Sequence, residues 1–271
     1  MTRYAPAARG ERGPLADALA QGGMLFGFAG NAAGAAVRAL RQRRFAWREC
    51  LDQTWFLASV TTLPAVLVTI PLGVVVALNV GSMAGQLGAA GYGGAVVAFV
   101  IVAQAAPLIC ALMIAGVGGS AICADLGART IREEVDAMEV MGLPAVDRLV
   151  LPRLIAAVVV TMLLACLVMA VGITASYAFQ VAVLDTSAGS FLATLTRFSQ
   201  VADFVVAEVK AAAFGLLAAL VSSFKGLTAK GGPSGVADAV NEAVVLAFIL
   251  VFVANTVLTE LYAAVAPSGV G

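Results

Sequence analysis

The sequence predicts an all-α integral membrane protein with five membrane-spanning helices. Its 271 residues have a mean hydropathy of +0.99, and 61% are hydrophobic whereas only 12% are charged. In soluble domains about half of the residues are apolar and about a quarter are charged. The apolar residues form long runs that lack the alternation of an outer-membrane barrel strand. Each run exceeds the roughly 20 residues that a helix needs to cross the hydrocarbon layer. The runs are residues 54–79, 94–123, 154–184, 204–224 and 243–266.

The distribution of lysine and arginine predicts how these spans are oriented, because cytoplasmic loops retain basic residues. Eight arginines precede the first span, four follow span two, and Lys225 and Lys230 follow span four. On the opposite side the connections carry only Arg197. The sequence therefore predicts a multi-pass membrane protein with a cytoplasmic N-terminus and an external C-terminus. The arginines on the cytoplasmic side are Arg3, Arg9, Arg12, Arg38, Arg41, Arg43, Arg44, Arg48, Arg129, Arg132, Arg148 and Arg153.

Residue types that support catalysis or metal binding are scarce. The chain has no histidine, and the phosphate-binding pattern GxxxxGKS/T does not occur in it. The four cysteines have no CxxC spacing, so we interpret them as small core residues. The sequence therefore predicts no catalytic residue, no metal site and no cofactor in this chain, and ATP with its Mg would have to be bound by a partner. The cysteines are Cys50, Cys110, Cys123 and Cys166.

The N-terminal region, residues 1–53, contains a predicted amphipathic helix at residues 15–37. This stretch is apolar but interrupted by polar residues, and the basic run RALRQRRFAWRE follows it, unlike a secretory signal. We expect the helix to lie in the inner membrane interface, followed by a short elbow into span one. The alternative is a sixth, poorly hydrophobic span. Small residues on one face would permit close helix approach: Gly23, Gly27, Gly30 and Gly34.

An unusually charged stretch, IREEVDAMEVMGLPAVDRLVLPR, connects spans two and three. Its periodicity predicts a short amphipathic helix at residues 131–142 with an apolar side and a charged flank. Gly142 and Pro144 then stop the helix, since glycine tolerates the left-handed terminal conformation and proline cannot continue the turn. The flank is acidic, whereas a helix on anionic lipid should be basic, so we favour a helix that binds a partner protein over a solvated connector. The apolar side carries Ile131, Glu134, Val135, Met138 and Met141, and the flank carries Arg132, Asp136 and Glu139.

Residues 115–156, AGVGGSAICADLGARTIREEVDAMEVMGLPAVDRLVLPRLIA, resemble the signature of the MlaE/YrbE permease family. The stretches EVKAAAFGLLAALVSSFKGL and GVADAVNEAVVLAFILVFVANTVLT are similar to that family's last two spans, and the likeness extends over residues 45–262. It is greatest to the actinobacterial (mycobacterial) YrbE A-type permeases of Mce lipid transport systems. The resemblance implies a transport subunit rather than an enzyme, in an ATP-driven lipid importer. In such a complex a pair of permeases passes lipids from MCE-domain proteins through an apolar groove. The resemblance also implies that the chain lies in the plasma (inner) membrane, with its external C-terminus in the periplasm.

The resemblance also assigns a role to the charged connection. Residues 54–266 would form the five-span permease domain, and residues 131–142 would be its coupling helix, a rigid handle docked on a cytoplasmic ABC ATPase dimer. Movement of the ATPase would reach the spans through this handle. ATPase coupling is thus expected of Arg132, Glu133, Glu134, Val135, Asp136, Met138, Glu139, Met141 and Gly142.

Three polar residues are expected along the lipid path. Many relatives carry an Arg-Glu pair in span two before a proline, but here Ala103 and Gln104 occupy those positions. This loss of two charges would suit a heterodimer in which a paralogous permease supplies them. Glu208 and Lys210 are the ionisable pair that we place inside a span, and they point to nearly opposite faces of its helix. The resemblance favours Lys210 as a ligand for a lipid carboxylate or phosphate; alternatively, both side chains reach outward to headgroups.

A second YrbE-type permease is an expected partner, because five spans alone would expose the groove to lipid. A cluster of small residues in span two would allow two backbones to approach closely, either at that partner or at a neighbouring span. These residues are Gly116, Gly118, Gly119 and Ser120.

Two other classes of transporter stay open. The stretch DAMEVMGLPAVDRLVLP also resembles the EAA coupling motif of conventional solute-importing ABC permeases, although Asp136 replaces its glutamate. The nearly uncharged spans disfavour a path for polar solutes. An ion-coupled secondary transporter would need ionisable residues near mid-membrane and often a repeated half, and no repeat is evident. The sequence does not identify the lipid, and import is inferred only from the family.

Overall fold

The computed structural model describes residues 14–42, 47–86 and 92–265, and every regular element within these segments is a helix. The predicted all-α class is therefore confirmed for the described part of the chain. The helices are α1 Pro14–Gln42, α2 Trp47–Gln86, α3 Gly93–Ile131, α4 Glu134–Val140, α5 Val146–Ala182, α6 Ala188–Phe198, α7 Val201–Leu227 and α8 Gly232–Val265.

Five of the described helices, α2, α3, α5, α7 and α8, are long and apolar enough to cross a membrane, as predicted. The N-terminal helix α1 is present but is not among these five, so the sixth span has no support. Its place in the membrane interface stays a prediction. The residues that connect α1 to α2, 43–46, where the expected elbow would fall, lie outside the described residues.

Three of the spans begin seven or more residues earlier than predicted. Helix α2 starts at Trp47 rather than at residue 54, α5 starts at Val146 rather than at residue 154, and α8 starts at Gly232 rather than at residue 243. The added turns of α5 carry charges that have partners inside the protein: Asp147 accepts a hydrogen bond from Arg38 of α1, at 3.2 Å, and Arg153 bonds to Asp125 of α3. Because these charges are paired, they do not end the helix.

The chain divides into two compact units, residues 1–57, 114–157 and 216–250 in the first and residues 58–113, 158–215 and 251–271 in the second. Each of the five long helices contributes to both units. In the first unit, a small core forms around Cys123 and Ala243, and the rings of Phe28 and Phe224 pack 5.7 Å apart. In the second unit, four spans meet in a core rich in alanine, whose small side chains allow the helices to approach closely.

Helix α3 is irregular on both sides of the α-helical segment that contains Pro107. The segments Ala98–Ala105 and Ile114–Gly118 are π-helical, so their backbone bonds run to the fifth residue instead of the fourth. Proline has no N–H to donate, and the carbonyl four residues before Pro107 belongs to Ala103. That carbonyl therefore lacks the donor that an α-helix would give it.

Helix α6 was not predicted, and it connects spans three and four. Its signal in the sequence is short: Phe191, Leu195 and Phe198 recur at the spacing of one helix face. Phe191 is fully buried and packs with Val97 and Ile101 of α3. Without these contacts an 11-residue helix would be marginal, so its stability depends on tertiary packing that periodicity alone does not reveal.

Candidate functional site

The charged connection between spans two and three contains a separate short helix, α4. Helix α3 continues through Ile131, and α4 begins only at Glu134 rather than at residue 131. The break lies at Glu133, whose backbone adopts a left-handed conformation with φ of 60°. Such a conformation is uncommon for a residue other than glycine, and it turns the chain between the two helices.

The end of α4 coincides with the helix stop that the sequence places at Gly142. Gly142 has φ of +77°, and its N–H bonds to the Glu139 carbonyl at 3.0 Å. The N–H of Leu143 bonds to the Met138 carbonyl at 2.9 Å. These two bonds form a Schellman motif, which satisfies carbonyls that the last turn would otherwise leave unpaired.

The apolar residues of α4 are distributed differently from the sequence prediction. Val135 is only 6% exposed, so its side chain anchors α4 to its own chain and is not available to a partner. Ile131 and Met138 are half-buried. The residues left open are Val140, at 89% exposure, and Met141, at 67%. Helical periodicity groups Val135 with Met141, but the helix ends between them, and the short final turn exposes Met141.

A cavity of about 910 Å³ in the first unit lies against α4. Glu133, Asp136 and Glu139 line it, whereas Glu134 does not and instead bonds to Arg132 at 2.9 Å. The acidic residues at positions 133–139 thus form two groups, three that line the cavity and one that pairs with an arginine outside it. The cavity is also lined by Arg38 of α1, Asp147 of α5, Phe224 of α7 and Lys230 in the connection before α8.

An ion-pair cluster joins the two spans that flank α4. Asp125 of α3 accepts hydrogen bonds from Arg153 of α5 and from Arg129 of its own helix, the latter at 3.2 Å. Arg153 is 1% exposed and also donates to the Leu149 carbonyl. We did not predict this cluster from the sequence. Its signal was an arginine two residues after Leu151, inside an otherwise apolar helix.

Lys210 is buried, with 3% exposure, and holds three helices together in the second unit. Its ammonium donates to Thr259 Oγ1 of α8 at 2.9 Å and approaches the Ala103 carbonyl of α3 at 3.5 Å. This carbonyl is the one that Pro107 deprives of an α-helical donor. The side chain therefore does not reach outward to headgroups, which removes that alternative for Lys210.

Glu208 lies apart from Lys210, as their positions on the helix suggest. It is 8% exposed, and its Oε1 accepts a hydrogen bond from Cys166 Sγ of α5 at 3.1 Å. Among the described residues its Oε2 has no hydrogen-bond partner. Gln104, the third residue expected on the lipid path, is half-buried on α3.

The cysteines follow the prediction with one exception. Cys50, Cys110 and Cys123 are buried, as small core residues should be. Cys166 is exposed and donates to a carboxylate, so it is not a core residue.

Two of the four small residues of span two, Gly116 and Gly119, face other helices of the same chain. A Cβ added to Gly119 would lie 2.5 Å from Ser222 Oγ of α7, and one added to Gly116 would meet Phe248 of α8 at 3.5 Å. Of the two contacts expected for these residues, with a second permease or with a neighbouring span, the structure shows the contact with a neighbouring span at both positions. By contrast, a Cβ at Gly23, Gly27 or Gly30 of α1 would meet nothing within 4 Å. Within the described chain, α1 packs through Phe28, Ala32 and Ala35 instead.

Comparison with known proteins identifies relatives over most of this helical domain. The family described as Permease MlaE matches residues 50–261. The chain is 29% identical to a probable ABC transporter permease protein of Rickettsia bellii over 62% of this chain and 64% of that protein. It is 30% identical to a probable ABC transporter permease protein from Synechocystis, again over 62% of this chain and 64% of that protein. It is also 30% identical to the Arabidopsis thaliana protein TRIGALACTOSYLDIACYLGLYCEROL 1, chloroplastic, over 62% of this chain and 48% of that protein.

In each of these relatives the match spans less than two thirds of the relative's own length. The family match is broader, because residues 50–261 include all five candidate spans from shortly after the start of α2 nearly to the end of α8. The chain therefore belongs to the MlaE permease family.

Proposed function

We propose that this chain is the permease subunit of an ATP-driven lipid transporter. Membership of the MlaE permease family supports this, as do relatives named probable ABC transporter permeases. The name of the Arabidopsis relative refers to a galactolipid, which favours a lipid as the substrate class. The apolar character of the five spans suits such a substrate better than a polar solute.

The proposed complex contains three further kinds of protein. A cytoplasmic ABC ATPase dimer binds ATP and Mg, and a second YrbE-type permease closes the groove. MCE-domain proteins deliver lipid, as the resemblance to YrbE A-type permeases implies. The chain then lies in the inner membrane with its N-terminus in the cytoplasm, its C-terminus in the periplasm and α4 on the cytoplasmic side.

The geometry of α4 is the observation that carries the proposal. A permease without a phosphate-binding loop can use ATP only through mechanical contact with its ATPase. Helix α4 is fixed to its chain by Val135, while Val140 and Met141 stay open for contact with a partner. Only Arg132 and Glu133 separate α4 from α3. A displacement of α4 would therefore be passed to a span with little slack.

The cavity beside α4 indicates which acidic residues would meet the ATPase. Glu133, Asp136 and Glu139 line it, and none of them has an ion-pair partner among the described residues. A basic side chain of the ATPase inserted here would gain charge-assisted hydrogen bonds. Val140 and Met141 would pack beside it as apolar contacts.

The proposal is tested by purifying the chain with its ATPase and second permease and measuring ATP-dependent lipid uptake into vesicles. Asp136→Lys combined with Glu139→Lys should weaken ATPase binding about tenfold or more, because each reversed charge would oppose the basic side chain. Glu134→Lys is the control on the same helix outside the cavity. Because it reverses one charge, it is compared with Asp136→Lys and Glu139→Lys singly as well as with the double variant.

The outcomes distinguish a failure of the docking site from a failure of the proposed transport function. Loss of ATPase binding in the double variant but not in Glu134→Lys supports docking at the cavity. Equal effects of both changes would refute the cavity while leaving the transporter in place. A complex that moves lipid without ATP, or no ATPase in the purified assembly, would overturn the function itself.

A further inference from the structure

Helix α6 lies where three membrane spans begin or end. It starts at Ala188, after α5 ends at Ala182, and only Ser199 and Gln200 separate its last residue from α7. Tyr92, directly before the start of α3, packs against Phe198 with ring centroids 6.4 Å apart. Chain continuity therefore keeps α6 near the boundary that these spans cross.

One side of α6 is fastened to the protein. Phe191 is fully buried, and its ring packs edge-on against that of Tyr177, with ring centroids 5.4 Å apart. At Gly94 of α3, a Cβ would overlap the carbonyl oxygen of Phe191, so the two backbones lie in direct contact there. The helix cannot move away from the start of span two without breaking this packing.

The exposed surface of α6 includes large apolar side chains and a cation. Leu192 is 47% exposed and Phe198 is 49% exposed. Arg197 is exposed, with its guanidinium 6.0 Å from the centroid of the Phe198 ring. The helix sequence, AGSFLATLTRF, contains no acidic residue. Exposed leucine and aromatic rings beside an arginine match the boundary of a bilayer, where rings and alkyl chains enter the acyl region and the guanidinium reaches phosphates.

We propose that α6 is a membrane-interface helix that binds lipid directly at the ends of spans three and four. Leu192 and Phe198 enter the upper acyl region, and Arg197 binds lipid phosphate. The bound surface is the bilayer that surrounds the spans, and it is present whether or not an ATPase or MCE-domain protein is bound. The inference is thus independent of the proposed function.

Adjacent residues of α6 provide a matched test. The apolar side of α6 is the face that carries Phe191, Leu195 and Phe198, and Leu192 borders it. Ala193 is also exposed but lies about 100° further around the helix, away from that face. A nitroxide spin label is attached to Leu192→Cys or Ala193→Cys in a Cys166→Ser background, which removes the exposed native thiol. The full chain is reconstituted in vesicles of phosphatidylcholine and phosphatidylglycerol, and label accessibility to oxygen and to a water-soluble nickel complex is measured.

The oxygen-to-nickel accessibility ratio should be about threefold or more higher at position 192 than at position 193, because oxygen concentrates in the acyl region. Equal ratios, or higher nickel accessibility at position 192, would overturn the proposal. A label at position 192 that neither reagent reaches would also overturn it, since that result means that protein covers the helix. Native elution of both labelled chains in size-exclusion chromatography verifies that they are folded.

Discussion

Asp125 of α3 and Arg153 of α5 form an ion pair that joins the two spans on either side of α4. The two partners differ in environment: the side chain of Arg153 is 1% exposed, whereas that of Asp125 is 44% exposed. A buried guanidinium depends on its carboxylate much more than an exposed carboxylate depends on its cation. Asp125 also bonds to Arg129, so one carboxylate neutralises two arginines at the base of the connection.

Asp125→Asn should destabilise the protein by about 2 kcal/mol, because it removes the charge that Arg153 needs while keeping the side-chain shape. Thermal unfolding of the purified chain in detergent measures the effect. Glu134→Gln breaks the exposed Arg132–Glu134 pair and serves as the control, for which a change below about 0.5 kcal/mol is expected. Equal losses in the two variants would contradict the role given to Arg153.

The membrane-spanning helices could be predicted from the sequence because hydropathy over about 20 residues is a strong and local signal. The early start of α5 could not be predicted, since it depends on partners more than 20 residues away, such as Asp125 for Arg153. A charge in an apolar helix is usually interpreted as the end of a span. Whether it has a buried partner is a property of the fold.

Helix α4 also has features that the local sequence determines and features that depend on contacts distant in the sequence. The position of Gly142 could be predicted, because the need for a left-handed residue at a helix end is local. The inner and outer sides of α4 could not be assigned correctly. Val135 faces its own chain only because the protein offers a surface to it, and periodicity identifies an apolar side without saying what covers it.

Gly226→Ala should destabilise the protein, whereas Gly116→Ala should be tolerated. A Cβ at Gly226 of α7 would lie 2.8 Å from the Cys123 carbonyl oxygen and 2.9 Å from Leu126 Cβ, and backbone cannot yield as a flexible side chain can. At Gly116 the nearest atom is 3.5 Å away, at ordinary contact distance. We expect a loss of about 1–3 kcal/mol for Gly226→Ala, the usual cost of overpacking.

The measurement is the midpoint of thermal unfolding for both variants at matched lipid and detergent. Gly116→Ala should stay near the wild-type value or rise slightly, since alanine favours the helix. If Gly226→Ala were as stable as Gly116→Ala, α3 and α7 would not be in backbone contact at this point.

Lys210→Met should lower lipid uptake at only a modest cost in stability. Methionine keeps the length of the side chain but cannot donate to Thr259 or to the Ala103 carbonyl. Thr259 still donates to the Asn255 carbonyl at 2.7 Å, so the stability loss should be about 1 kcal/mol. If the ammonium binds a lipid headgroup, uptake should fall about tenfold, equivalent to roughly 1.4 kcal/mol.

Thr259→Val separates the two roles of Lys210, because it removes the 2.9 Å hydrogen bond and leaves the charge. Uptake near the wild-type level in Thr259→Val but not in Lys210→Met would assign the effect to the charge. Equal uptake in Lys210→Met and wild type, at matched expression, would make Lys210 a purely structural link between α3, α7 and α8.

The end of α4 offers a test in which backbone conformation alone is changed. A Cβ at Gly142 would meet nothing within 4 Å, so a side chain there causes no collision. The φ of +77° is the only obstacle, and it costs alanine about 1 kcal/mol or more, whereas asparagine tolerates it far better.

We therefore expect Gly142→Ala to distort the last turn of α4 and Gly142→Asn to preserve it. The residues that would move are Val140 and Met141, which the proposed function assigns to ATPase contact. Titration of the ATPase against the reconstituted permease should show weaker binding for Gly142→Ala, by up to about fivefold for 1 kcal/mol, and near wild-type binding for Gly142→Asn. Both substitutions add a side chain at the same open position, and alanine is the smaller of the two. Weaker binding by Gly142→Ala alone would therefore point to the left-handed backbone rather than to a collision. Equal binding by the two variants would mean that the ATPase does not depend on how α4 ends.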